Sequence, residues 1–211
     1  METYEFGNPQ SDIVLLQPVD EHDLEGIESE FAEIEKACKK GFYLIAVRIH
    51  DWNNELSPWE APAVFGKDGF GDGASKTLEE LLKLCDDKRK TYYIGGYSLA
   101  GLFALWAAYQ TDVFSGVAAA SPSVWFPEFD RYMEEHELKT GAVYLSLGDR
   151  EEKARNPVMA TVGDKIRKAY AQLQKRGVNC TLEWNEGNHF KDADIRTAKA
   201  FAWVTATSKP R

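Results

Sequence analysis

Between Thr91 and Trp106 the chain changes its hydrophobic period within a few residues. Thr91-Tyr92-Tyr93-Ile94 is a β-branched and aromatic run, as a buried strand requires. From Leu99 the apolar residues fall at helical spacing, with Ala100, Ala104 and Ala107 on one side. This junction commits the chain to a strand that feeds directly into a helix. A single polar residue, Ser98, stands at the joint, with Gly96 before it and Ala100 after it.

The small residues around Ser98 fit the G-x-S-x-G nucleophile elbow, with Ala100 in the last place. Any side chain at Gly96 would collide across so tight a turn, and position 100 must be small where a neighbouring strand passes. The turn presents the Ser98 hydroxyl at a helix N-terminus, where unpaired amides and the macrodipole favour a developing oxyanion. The plainer reading is an ordinary strand–helix junction in which Ser98 is only an N-cap. The rest of the chain has to decide.

Strand and helix patterns alternate along its whole length. Residues 13–16, 42–49, 91–94, 116–120, 142–147 and 178–184 read as strands, the first of them stopped by Pro18. Residues 20–35, 75–87, 99 onward, a stretch ending near 137, 158–175 and 192–207 read as helices. Residues 1–10, with Gly7, Asn8 and Pro9, read as an edge strand or the remnant of a hairpin. Such alternation predicts an α/β fold with a mostly parallel sheet between two helical layers. In sheets of this kind the active site lies beyond the carboxyl ends of the strands. With 211 residues, 44% of them hydrophobic, there is material for one core, so residues 1–211 read as a single domain.

That rule sorts the histidines. His22 and His136 fall on helical stretches, whereas His50 and His189 follow strands. His189, in Glu186-Gly187-Asn188-His189-Phe190, lies after the last strand and can reach back to a serine at the sheet centre. A carboxylate to orient it should follow the preceding strand, in Gly148-Asp149-Arg150-Glu151-Glu152. Glu151 has the turn and the length to pass beneath the histidine. Asp149, nearer the strand end, is the fallback, and Glu152 reads as solvated. The order Ser98, acid, His189 is that of α/β-hydrolases.

The loop 50–74, rich in tryptophan, proline and glycine, is long enough to be functional. Trp52, Trp59 and Trp125 lie on loops at the reactive end, where Trp59 and Trp125 are candidates for the substrate-binding rim; burying loop anchors is the alternative. Trp106 and Trp203 sit at helical spacing and read as core.

A net charge of −9 argues against nucleic acid or an anionic membrane as partner. No apolar run approaches the ~20 residues of a membrane span, and the N-terminus is acidic rather than leader-like. Cys38, Cys85 and Cys180, odd in number and far apart, read as free thiols of a cytoplasmic protein. Metal-ligand spacing is absent, and no metal is expected.

These residues resemble the α/β-hydrolase superfamily, and within it the putative-esterase branch that includes esterase D and the enterochelin esterases. Gly-Tyr-Ser-Leu-Ala-Gly at the elbow carries the likeness, with Ser121-Pro-Ser-Val-Trp125, Leu147-Gly-Asp-Arg-Glu-Glu-Lys153 and Gly187-Asn-His189, from about Ile13 onward. The resemblance implies hydrolysis of carboxylic esters or thioesters of small molecules, with neither metal nor organic cofactor. Ser98 would be the nucleophile, His189 the base and the Gly148 loop the source of the acid. It also implies a minimal version of the fold, an open sheet of about six strands without a lid domain, whose exposed site leaves a homo-oligomer open. Two-step acyl transfer needs oxyanion donors. Leu99 supplies one amide and the loop after residue 49 the other, from Asp51 or, as taken here, Trp52. An acyltransferase, or a non-catalytic binding protein on the same scaffold, are the competing readings.

Overall fold

A computed structural model describes residues 1–38 and 40–208 of the chain. Within these residues seven strands form one sheet in the order β1-β3-β2-β4-β5-β6-β7. They are β1 (Thr3–Gly7), β2 (Ile13–Val19), β3 (Tyr43–Arg48), β4 (Thr91–Tyr97), β5 (Phe114–Ala120), β6 (Ala142–Gly148) and β7 (Asn179–Asn185). All neighbours run parallel except β1, which pairs antiparallel with β3, Thr3 opposite Val47. The open sheet of about six strands that was expected is here one of seven, and the edge strand read in residues 1–10 is β1.

Pro18 does not stop β2. It pairs in register with Val47, while β2 meets β4 only from Ile13 to Leu16. Beyond Leu16 that side of β2 has no partner strand, so the missing proline N–H breaks no ladder bond.

Among the described residues seven α-helices complete the fold: α1 (Glu21–Ala37), α2 (Trp52–Glu55), α3 (Ala74–Leu82), α4 (Ser98–Gln110), α5 (Phe129–Glu135), α6 (Val162–Lys175) and α7 (Ala193–Thr207). Period-two alternation decides what each strand shows to which layer. Leu15, Leu44, Tyr93, Ala118 and Tyr144 are buried with residues of α1 and α7. Leu16, Ile45, Ile94, Ala119 and Leu145 are buried on the other face with α3, α4, α5 and α6. The result is a three-layer α/β sandwich.

α1 begins where Asp20 accepts a 2.8 Å bond from the Asp23 amide, and the Asp23 carboxyl accepts one from the Asp20 amide. α6 begins at Val162, four residues later than its periodicity suggests. Asn156 Oδ1 caps the Val158 and Met159 amides, and a 3-10 turn at Met159–Thr161 leads into the helix. Among the described residues no helix is long and apolar enough to cross a membrane.

The chain steps outward from β2 to β3, then returns to place β4 on the other side of β2. That reversal opens a crevice at the carboxyl ends of β2, β3 and β4. The loop after β3 and the turn after β4 enter it from opposite sides.

Candidate active site

β4 ends at Tyr97 and α4 starts at Ser98, whose φ of 57° lies in the left-handed region. An L-residue is strained there and persists only where its surroundings enforce it. Close packing enforces it here: a Cβ on Gly96 would stand 2.6 Å from the Ala100 Cβ. Ser98 therefore sits half-buried at the helix start, its hydroxyl turned into the crevice.

His189 Nε2 lies 2.9 Å from Ser98 Oγ, and His189 Nδ1 lies 2.7 Å from Glu151 Oε2. With Nδ1–H donating to the carboxylate, Nε2 is left to accept the Ser98 proton. Glu151 belongs to a 3-10 turn, Glu151–Lys153, directly after β6. The turn folds its side chain back over the strand end, where Oε1 accepts from the Gly148 amide (2.7 Å), Ser121 Oγ (2.9 Å) and Arg196 Nη1 (3.2 Å). Asp149 lies elsewhere: its Oδ1 accepts from the Gly187 amide at 2.9 Å and so braces the histidine loop. Glu152 pairs with Arg167 at 2.9 Å.

Three residues that sequence reasoning did not single out surround this chain of bonds. The Tyr97 hydroxyl donates to the His189 carbonyl at 2.8 Å, and burial, together with the Glu151 charge, pushes its pKa up to about 12. It therefore stays a neutral donor at any working pH. Ser123 Oγ lies 3.3 Å from Ser98 Oγ, and its amide donates to the Ser98 carbonyl at 3.0 Å. Arg196, 2% exposed, is the largest of the fully buried side chains among the described residues. A signal for it existed, since a cation on the apolar face of α7, one turn before Ala200, demands a buried counter-charge.

The other histidines are elsewhere. His22 is exposed beside Glu25, His50 lies 3.8 Å from Glu2, and His136 stacks on Tyr132 at a ring distance of 4.0 Å.

Ser98 and His189 open onto a cleft of roughly 490 Å³ whose walls include Trp52, Phe65, Phe70, Trp125, Met159 and Phe190. Trp125 packs edge-on against Phe65, with ring centroids 6.2 Å apart. Trp59 is a correction. It stands away from this cleft among Phe126, Phe129 and Tyr132, its Nε1 donating to the Pro127 carbonyl at 3.1 Å. A large amphipathic ring is better used there, anchoring the loop from beneath, than as a rim. The amides of the β3 loop also sort themselves. Glu55 Oε1 accepts from both His50 N (3.1 Å) and Asp51 N (2.7 Å), which withdraws Asp51. Trp52 opens α2 on the wall of the same cleft, and its amide has no hydrogen-bond partner among the described residues.

Sheet order, elbow turn and crevice define an α/β-hydrolase fold. Residues 45–193 match the Esterase family, described as putative esterase, and the chain belongs to that family. The structure is similar to the siderophore hydrolase EstA of Aspergillus nidulans, at 19% identity and a TM-score of 0.64, covering 94% of this chain and 84% of that one. It is also similar to an IroE-like serine hydrolase of Shewanella oneidensis, at 14% identity and a TM-score of 0.71, covering 95% and 74%. The enterobactin esterase FES of Shigella flexneri shares 15% identity at a TM-score of 0.63, covering 96% and 54%. Among curated sequences, oligopeptidase A of Salmonella typhimurium is 26% identical over 196 residues, 88% of this chain. The chain spans about a quarter of the length of that relative.

Proposed function

We propose that the chain is a serine ester hydrolase that works by two-step acyl transfer through Ser98. The observation that carries this reading is the unbroken line of hydrogen bonds from Glu151 through His189 to a strained serine at the mouth of an aromatic cleft. Ser98 attacks the ester carbonyl while His189 takes its proton, and Glu151 holds the tautomer and balances the imidazolium. His189 then protonates the leaving alcohol, and water repeats the sequence on the acyl-enzyme. The Leu99 and Trp52 amides receive the oxyanion, each such donor being worth about 3 kcal/mol in the transition state.

The cleft walls favour esters with an aromatic or apolar acyl group, with Trp125 against the ring. The siderophore hydrolase and enterobactin esterase among the structural neighbours place siderophore esters on the panel to be tried. The experiment is labelling with a fluorophosphonate followed by peptide mapping, beside hydrolysis of p-nitrophenyl acetate and a panel of short and aromatic esters. Label on Ser98 with turnover is the expected result. Label on another serine, or none, overturns the reading. Added alcohol in the same assay separates water from a competing acyl acceptor in the second step.

A further inference from the structure

Arg196 lies on α7, outside the residues assigned above, and its guanidinium meets the ends of four neighbouring strands. Nη1 donates to the Tyr97 hydroxyl at the end of β4 (3.0 Å), to Ser121 Oγ beyond β5 (3.4 Å) and to Glu151 Oε1 beyond β6 (3.2 Å). Nη2 donates to the Glu186 carbonyl beyond β7 (3.1 Å). We infer that Arg196 is a positioning residue that holds His189 at two points, through the Glu151 carboxylate at the ring and through Tyr97 at the backbone. The inference rests on the Ser98–His189–Glu151 reading above.

The two points are separate. Glu151 Oε1 takes three donors, Arg196 among them, and Oε2 takes His189 alone. An oxygen filled in this way leaves the carboxylate one orientation, with its second oxygen facing Nδ1. Tyr97 accepts from Arg196 and donates its own O–H to the His189 carbonyl, so the loop is tied down by the same guanidinium. Imidazole placement thus depends on one side chain at both ends.

Charge points the same way. Arg196 and Glu151 have side chains 2% and 5% exposed, and ions so buried are tolerated only as a hydrogen-bonded pair. A pair serving stability alone could sit anywhere in the core, whereas this one is built on the carboxylate that meets the histidine. Arginine is required because a planar fork spans these acceptors and the point charge of lysine does not.

The test uses the full chain with p-nitrophenyl acetate. Arg196→Ala is expected to lower kcat about 100-fold, with KM held within about twofold, because the base is misplaced rather than the substrate lost. Guanidinium at millimolar concentration, filling the vacated space, is expected to restore at least about tenfold of that loss. Phe201→Leu, on the same helix but away from the site, is the stability control: its melting temperature falls and its kcat stays. If Arg196→Ala does not fold, Arg196→Lys carries the test, with about a tenfold loss in kcat and KM unchanged. The low-field His189 Nδ1 proton resonance should be present in the parent and lost in the variant. Unchanged kcat in either Arg196 variant, or an equal loss in Phe201→Leu, overturns the inference. If the parent neither turns over esters nor labels at Ser98, the esterase reading fails instead, and the proton resonance still reports whether Arg196 holds the pair.

Discussion

Glu151 shows how one side chain is chosen among three. The loop after β6 offers Asp149, Glu151 and Glu152, and only Glu151 is folded back by its 3-10 turn onto His189 Nδ1. Glu151→Gln should therefore lower kcat at least about tenfold while the protein still folds, since an amide keeps the volume and loses the charge. Asp149→Asn and Glu152→Gln should be milder in the same steady-state assay, one bracing Gly187 and the other paired with Arg167. Full activity in Glu151→Gln would remove it from the site. Gly96→Ala acts through the elbow. Its Cβ would stand 2.6 Å from Ala100, so the turn must open and carry Ser98 away from His189. Loss of fluorophosphonate labelling with secondary structure retained is the expected outcome.

At the scale of elements, α1 carries an unusual burial. Glu30 is 4% exposed, its Oε2 accepts from Gln17 Nε2 at 3.2 Å, and its Oε1 has no partner among the described residues. Burial raises its pKa well above the usual carboxylate range, with the charges of Asp23 and Asp194 adding to the effect. A carboxyl group raised in the fold stabilises it least when the unfolded chain can ionise. Its contribution to stability should accordingly be greatest at low pH and decline as pH climbs past the ordinary glutamate range. Glu30→Gln removes that decline, and urea unfolding should show it more stable than the parent by at least about 1 kcal/mol at pH 8 and little changed at pH 4.5. An equal difference at both pH values would contradict this. The aromatic loops separate in the same way by what they touch. Trp59→Ala should lower the melting temperature and leave KM nearly unchanged, whereas Trp125→Ala should raise KM for aromatic esters, because only Trp125 lines the cleft.

Across the whole molecule the two helical layers meet at β4, which turns Gly95 toward Phe201 of α7 and Gly96 toward α4. A Cβ on Gly95 would lie 2.6 Å from the Phe201 ring and 2.7 Å from the Ala118 Cβ. Gly95→Ala should cost about 1–3 kcal/mol in urea unfolding by forcing α7 outward. Activity should fall with it, since α7 also carries Arg196. Much of this architecture is legible in the sequence. Period two in the strands, period 3.6 in the helices and the Gly-x-Ser-x-Ala turn are local patterns, and they specify the alternation, the parallel sheet and the place of Ser98. The chain order also places an acidic loop and His189 after the last two strands. Residues 1–10 left an edge strand and a hairpin remnant open, because β1 is half exposed and has only β3 to pair with. What only the tertiary structure decided depends on where separate strand ends meet. The acidic loop turns Glu151 inward, Glu55 takes the Asp51 amide and leaves that of Trp52, and Trp59 goes beneath its loop. Arg196 finds its counter-charge 45 residues away along the chain. Hydrophobic periodicity reports which face of an element is buried, whereas the partner of a buried charge is set by the packing of elements distant in sequence.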